Sequence, residues 1–287
     1  MAAIAAVRGN LDLVHNTSDS DDVIGFWTQI KLEIIAKYLP AYTTILSKQN
    51  ARFRTLYIDA FAGSGKHIAK STGETVAGSP SLALATVPRF SEYHFIDIEE
   101  RKIESLQRLA TTSQDVVIHH GDCNRILINK VFPRCRYEDF ARALCLLDPY
   151  GLQLDWKVME IAGKLRTVEV FLNFPIMDIN RNALARDATK DRPKQEELTR
   201  FWGDESWREA AYAPQPLLFG GEELVKKSNR QFVAAFRDRL KARAGFAYVA
   251  DPLPMRNSTN AVVYYLFFAS PNTTGSKIVS EIFDRYR

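Results

Sequence analysis

Cysteine is scarce and unpatterned in this chain. The 287 residues hold three, Cys123, Cys135 and Cys145, with no C-x-x-C pair. That count and spacing exclude a disulfide framework and a zinc ribbon, and make a reducing, cytoplasmic compartment the expectation. Long apolar runs are missing too. The longest, Ala261–Ala269, is about half a membrane span and rich in β-formers, so it reads as a late buried strand of a soluble protein. Met1–Val7 is apolar but too short for a signal core and lacks a basic n-region. Charge of one sign is absent: 38 Lys and Arg face 34 Asp and Glu, a net +4 without the dense basic stripe of a strong nucleic-acid binder. A phosphate-binding loop is also lacking. Gly65-Lys66 has Ala60 where the first glycine belongs and His67 in place of the Mg²⁺-binding hydroxyl.

What is present begins with Thr55-Leu-Tyr-Ile-Asp-Ala-Phe-Ala-Gly-Ser-Gly65. A short apolar run ends in Asp59 and breaks into a glycine-containing turn. Gly63 and Gly65 reach positive φ without a side chain, so a ligand can approach the backbone closely. Such a turn after a first strand is where open α/β sheets bind nucleotide-like ligands. A dinucleotide fingerprint fails, because His67-Ile68 stands where its third glycine belongs. A carboxylate at Asp59 would repel a triphosphate but accept hydrogen bonds from an ammonium. S-adenosylmethionine, with its α-ammonium, fits that chemistry better than a nucleoside triphosphate. A purely structural turn is the plain alternative.

Further acidic strand ends follow. Glu92–Asp97 is an apolar run ending in an acid before the helix-forming Glu99–Leu109, and Asp97 is placed to accept from both hydroxyls of a ribose. Val116–His120 leads into Gly121-Asp122, where an adenine amine is contacted in such folds. Each acid can equally begin a helix as its N-cap. Ala143–Leu147 runs into Asp148-Pro149-Tyr150-Gly151. Enzymes that methylate exocyclic amines carry an acid or amide, proline and an aromatic at this place. The oxygen accepts from the target NH₂ and the ring stacks on the base. Asp148, Pro149 and Tyr150 are therefore the candidate catalytic residues. With a single proline, the pattern resembles the Asp-Pro-Phe-Gly of guanine-N2 tRNA methyltransferases more than the adenine-N6 form. A Walker B reading of Asp148 lacks a phosphate loop to work with.

Taken together, Tyr57–Gly63, Gly78-Ser79-Pro80, Phe95–Asp97, Gly121-Asp122, Leu147–Gly151, Asn173-Phe174, Ile179-Asn180-Arg181 and Tyr264–Ala269 resemble the three-Cys-motif partner protein (TcmP) family. The likeness runs from about Phe26 to the C-terminus. It implies the S-adenosylmethionine methyltransferase-like superfamily. Asp59, Phe61, Gly63 and Gly65 would then hold the methionine part, Asp97 the ribose and Asp122 the adenine. The family name refers to cysteines of a neighbouring protein, so a separate three-cysteine partner is a second expectation.

The expected architecture is α/β: a Rossmann-like class I methyltransferase sheet with flanking helices and a helical insertion before the last strands. Residues 1–22 are expected as a flexible segment, 23–180 as the cofactor-binding core, 181–243 as the insertion, and 244–287 as the closing strands and helix. Ile24, Trp27, Ile30, Ile34, Ile35, Tyr38 and Leu39 recur at helical spacing, predicting an amphipathic helix over 23–46. Residues 66–77 read as a polar loop, with Lys66 and His67 as substrate contacts, before Ser79 caps and Pro80 opens a helix. Asn180 and Arg181 follow the strand Val168–Phe174 and are further substrate-binding candidates. The insertion carries 14 Lys and Arg against 10 Asp and Glu, with Trp202, Trp207, Tyr212 and Phe219. That suits a nucleic-acid or partner-binding cap, with ordinary helical surface charge as the alternative.

Overall fold

A computed structural model describes residues 22–50, 52–111, 113–186, 190, 192–217, 219 and 221–287. The expected flexible segment 1–22 lies outside these residues except for Asp22. The strands are β1 (Asp22–Ile24), β2 (Arg54–Asp59), β3 (Lys66–Ala69), β4 (Thr75–Ala77), β5 (Glu92–Asp97), β6 (Val116–His120), β7 (Ala141–Leu147), β8 (Val168–Phe174), β9 (Tyr212–Pro216), β10 (Glu222–Lys226), β11 (Tyr248–Val249), β12 (Leu253–Arg256) and β13 (Val262–Ser270).

Eight of them form the central sheet in the order β11-β13-β8-β7-β2-β5-β6, with β12 also on β13. β6, β5, β2, β7 and β8 pair in parallel, and β13 enters antiparallel to β8. This is a Rossmann-like, doubly wound sheet with the order and single reversed strand of the class I methyltransferase fold. The chain reverses direction on either side of β2, and the crevice at such a switch point lies beyond the carboxyl ends of the strands.

Period-two alternation sorts the side chains. Leu56, Ile58, Ile96 and Leu147 face one layer, with Trp156, Met159, Phe201 and Phe236. Tyr57, Phe95, Leu146 and Phe171 face the other, with Ile34, Ile35 and Tyr38 of the Phe26–Gln49 helix and Val279 and Phe283 of the Thr273–Asp284 helix. Both faces are buried, which is why these strands read as continuous apolar runs. Cys145 sits fully buried in the middle of β7.

The sequence-based boundaries differ from the structure in four places. The first helix begins at Phe26, because residues 22–24 pair with β3 as β1. Residues 66–77 are not an open loop: β3 and β4 form a hairpin that β1 extends to three strands. Gly78, not Ser79, is the N-cap of the Ser79–Leu84 helix, and no side chain caps it. The insertion is not all helical, since β9 and β10 form a two-stranded hairpin between the Trp207–Ala211 and Asn229–Arg239 helices. Pro214 and Pro216 lie in β9, and a strand with few sheet neighbours tolerates residues that cannot donate.

Phe174 joins the insertion to the sheet. Its ring lies 4.6 Å from Phe236, 5.7 Å from Phe201 and 5.5 Å from Phe267, and it is fully buried. Phe174→Ala should cost about 3–5 kcal/mol, seen as a lower urea midpoint with an unchanged slope in a two-state fit.

Candidate functional site

The alternation that builds the core also aims the site. Tyr57 and Asp59, Phe95 and Asp97, Leu146 and Asp148, and Phe171 and Asn173 are each two residues apart, so all four polar side chains leave the sheet on the face covered by the Phe26–Gln49 helix. They stand at neighbouring strand ends.

The glycine turn is stitched to both neighbours of β2. Ala60 N–H donates to Leu146 O at 3.0 Å and Ala62 N–H to Ile96 O at 2.9 Å. Asp97 fixes it further: Oδ2 accepts from Gly63 N–H and Oδ1 from Glu99 N–H, both at 2.9 Å. A carboxylate offers roughly four acceptor positions, so these bonds leave capacity for a ligand hydroxyl. The two glycines differ in purpose. Gly63, at φ 63°, has nothing within 4 Å of where a Cβ would stand, so its outer side is open to a ligand. Gly65, at φ 82°, would place a Cβ 2.7 Å from Leu109 Cδ2, so packing excludes a side chain there. Phe61 is half-buried and packs against the core beneath the turn. Asp122 caps the Cys123–Ile126 helix, its Oδ1 accepting from Arg125 N–H at 2.8 Å.

Lys31 was not foreseen as a site residue. It projects from the first helix between the sheet-facing Trp27, Ile34 and Ile35, is only 5% exposed, and its ammonium donates to Asp148 Oδ2. Asn173 Nδ2 donates to Asp148 Oδ1 at 2.7 Å. The sequence signal was a cation set at helical spacing within an apolar stripe. Asp59 stands close enough to feel both groups. Burial raises its carboxyl to about 6, with hydrogen bonding from Ser79 opposing, Asp148 raising it further, and Lys31 and the Tyr57 hydroxyl opposing again. Tyr57 donates to Asp59 Oδ2 at 3.2 Å.

Pro149 is buried behind Asp148, while Tyr150 is 60% exposed at the rim. Lys102 lies 5.3 Å from the Tyr150 ring centroid, and the Tyr150 hydroxyl donates to Asp22 Oδ2 at 3.2 Å. Lys66 is exposed on β3 and His67 half-buried beside it. Asn180 donates to Asn229 Oδ1 at 2.9 Å, and Arg181 is exposed with its carbonyl held by Arg192. Asn180 thus ties the end of β8 to the insertion and makes no hydrogen bond to Asp148.

One chemical regularity joins these parts. Asp59 Oδ1, Asn173 Oδ1 and Asn180 Oδ1 are buried and without a hydrogen-bond partner. All three are acceptors, at or just beyond the C-terminal ends of β2 and β8. Buried polar atoms in native proteins are nearly always paired, so what this edge lacks is donors. An ammonium or amine supplies them.

Among the described residues, no helix is long and apolar enough to cross a membrane. No family model matches the chain, and no curated protein matches it. Among solved structures, a Legionella pneumophila protein described under family model DUF519 is similar over 94% of each chain, at 12% identity and a TM-score of 0.49. A Thermobifida fusca protein described as a candidate methyltransferase is similar over 86% of this chain and 82% of its own, at 12% identity and a TM-score of 0.44. The fold assignment rests on the strand order and pairing above.

The raised Asp59 carboxyl makes a signed prediction. Its folded value of about 6 exceeds the ordinary 3.8, so the favourable contribution is complete below the unfolded value and lost as pH rises through the folded one. Ionised at pH 7.5, the group costs about 3 kcal/mol. Asp59→Asn should therefore raise the unfolding free energy by up to that amount at pH 7.5 and leave it nearly unchanged at pH 4. Urea titrations at the two pH values check this, and an equal gain at both would contradict it.

Proposed function

We propose that this chain is an S-adenosylmethionine-dependent methyltransferase acting on an amine, with an exocyclic amine of a nucleic-acid base as the acceptor. The acceptors left without donors carry the reading: buried oxygens at Asp59, Asn173 and Asn180 call for N–H donors, and Asp148-Pro149-Tyr150 stands beside them. The cofactor, when bound, supplies a methyl group on a positively charged sulfur. Asp59 and the open side of Gly63 would hold its ammonium, the free acceptor positions of Asp97 its ribose hydroxyls, and the Asp122 segment its adenine.

The remaining roles belong to this chain's own groups. Asp148 would accept from the target NH₂ and turn the nitrogen lone pair inward. The exposed Tyr150 ring offers a stacking surface at the rim, with Lys102 close to it. The amine sheds its proton after attack, so Asp148 need not be a strong base. Alignment and a fixed electrostatic setting carry most of the rate. Lys66 and Arg181, both exposed, would meet backbone phosphates.

A second reading has one observation in its favour. Both Asp148 oxygens already have protein partners, Lys31 and Asn173. That closed arrangement suits a non-catalytic fold serving as the partner of a separate three-cysteine protein.

Calorimetry separates the two. S-adenosylmethionine should bind with a Kd on the order of micromolar, and Asp97→Ala, which strips the Gly63 N–H of its acceptor, should weaken it at least tenfold, about 1.4 kcal/mol. With the cofactor bound, tritiated methyl transfer to single-stranded oligonucleotides should fall about a hundredfold in Asp148→Ala. No binding to the wild type would overturn the methyltransferase reading, and binding without transfer to any acceptor would favour the partner role.

A further inference from the structure

Lys31 is the one group at this edge that neither the motif pattern nor the acceptor role of Asp148 requires. It comes from a different layer than the strands, and its ammonium is nearly removed from water. Among the described residues, no other Lys or Arg lies within ion-pair distance of Asp148. Asp59 has no Lys or Arg within ion-pair distance among the described residues and feels only the field of Lys31, while its Oδ1 still lacks a donor. The other polar groups packed around the two carboxylates are uncharged: the Tyr57 and Ser79 hydroxyls beside Asp59, the Asn173 amide on Asp148, and the Tyr264 hydroxyl, which burial first and the Asp148 charge second hold in its neutral form.

We propose that Lys31 is a specificity-determining residue: the resident counter-ion of a cation-binding site, which competes with a cationic ligand and so sets the choice between the charged and uncharged forms of the cofactor. The inference rests on the methyltransferase reading and deepens it. In methyl transfer the carbon–sulfur bond of the sulfonium breaks as a carbon–nitrogen bond forms on the amine, the amine proton leaves to solvent, and the departing S-adenosylhomocysteine is an uncharged thioether. Substrate and product of the cofactor therefore differ by one positive charge. A buried ammonium beside the two carboxylates disfavours the sulfonium more than the thioether, because like charges repel strongly where water is excluded. The same ammonium keeps the two acids from facing each other uncompensated when no cationic ligand is bound.

Calorimetric titration of the full chain with S-adenosylmethionine and, separately, with S-adenosylhomocysteine tests this, the readout being the ratio of the two affinities. Lys31→Met should shift the ratio about tenfold towards the sulfonium, or 1.4 kcal/mol. Lys31→Arg, which keeps the charge, should leave the ratio at its wild-type value. Asp148→Asn, which takes away the partner and leaves Lys31 in place, should shift it severalfold the other way. That variant carries the test if thermal melting shows that Lys31→Met does not fold. A ratio unchanged within twofold in Lys31→Met or Asp148→Asn, with both ligands bound, overturns the role of Lys31 alone. Failure of both ligands to bind the wild type removes the methyltransferase reading and this inference together.

Discussion

Parallel pairing of β2 with both β5 and β7 is the constraint on which the rest of the structure depends. From β2 the chain winds to one side through β5 and β6 and then crosses to the other side for β7 and β8, all five strands running parallel. The ends of all three strands then open at the same edge of the sheet. Each of these ends is an acid: Asp59, Asp97 or Asp148. Three carboxylates brought together at the rim of a buried sheet must each find hydrogen-bond donors or a cation. Asp97 takes one backbone N–H from the glycine turn it helps to hold and a second from Glu99, just beyond its own strand. Asp148 takes an ammonium and an amide. Asp59 is left with hydroxyls, and the electrostatic cost of the arrangement gathers there.

The sheet separates two bodies with different tasks. On one face the Phe26–Gln49 helix covers Tyr57, Leu146 and Phe171 and sends Lys31 to the edge. Its first turn is fastened by Tyr264, whose hydroxyl donates to Trp27 O at 3.2 Å, and the preceding β1 is tied to β3. On the other face the insertion is anchored by the aromatic cluster around Phe174. The candidate site lies at the strand ends with the helix on its side of the sheet, while Asn180 and Asp178, just beyond β8, link it to the insertion through Asn229 and Lys194. A change in the insertion therefore has a short route to the acceptor loop, because Gly151 has no room for a Cβ against Asp178 Oδ2, 2.9 Å away.

Much of this was legible in the residues. β2, β5, β7 and β8 are apolar on both faces and carry an acid or amide at or beside their ends, so their ends could be read from local pattern. The short strands could not. β1, β3, β4 and β9–β12 have at most five residues each, and pairing partners distant in sequence decide whether such segments become strands at all. Lys31 escaped for a related reason. Its spacing marked it as facing the core, but its meaning depends on Asp148, 117 residues away. Gly65 looked like a ligand-facing glycine, yet the Leu109 side chain that fixes its role comes from another helix.

Burial alone does not mark Asp59 as functional, and Glu169 shows why. Glu169 lies near the start of β8 and is equally buried, so its carboxyl too is raised by loss of water. There every oxygen is satisfied: Ser270 and Asn272 donate to Oε1 at 3.0 and 2.9 Å, and Tyr38 donates to Oε2. The group locks the end of β13 and the start of the Thr273–Asp284 helix against the sheet. It is a completed structural network, of the kind that specifies a packing arrangement. Asp59 keeps an unpaired oxygen near a second acid, whose cation, Lys31, pairs with that acid rather than with Asp59. Replacing such a cluster with apolar groups of similar volume would usually be neutral or stabilising. Two acids of equal burial on one face of one sheet thus differ in what their oxygens still lack, and the deficient one is the one that stands at the switch point.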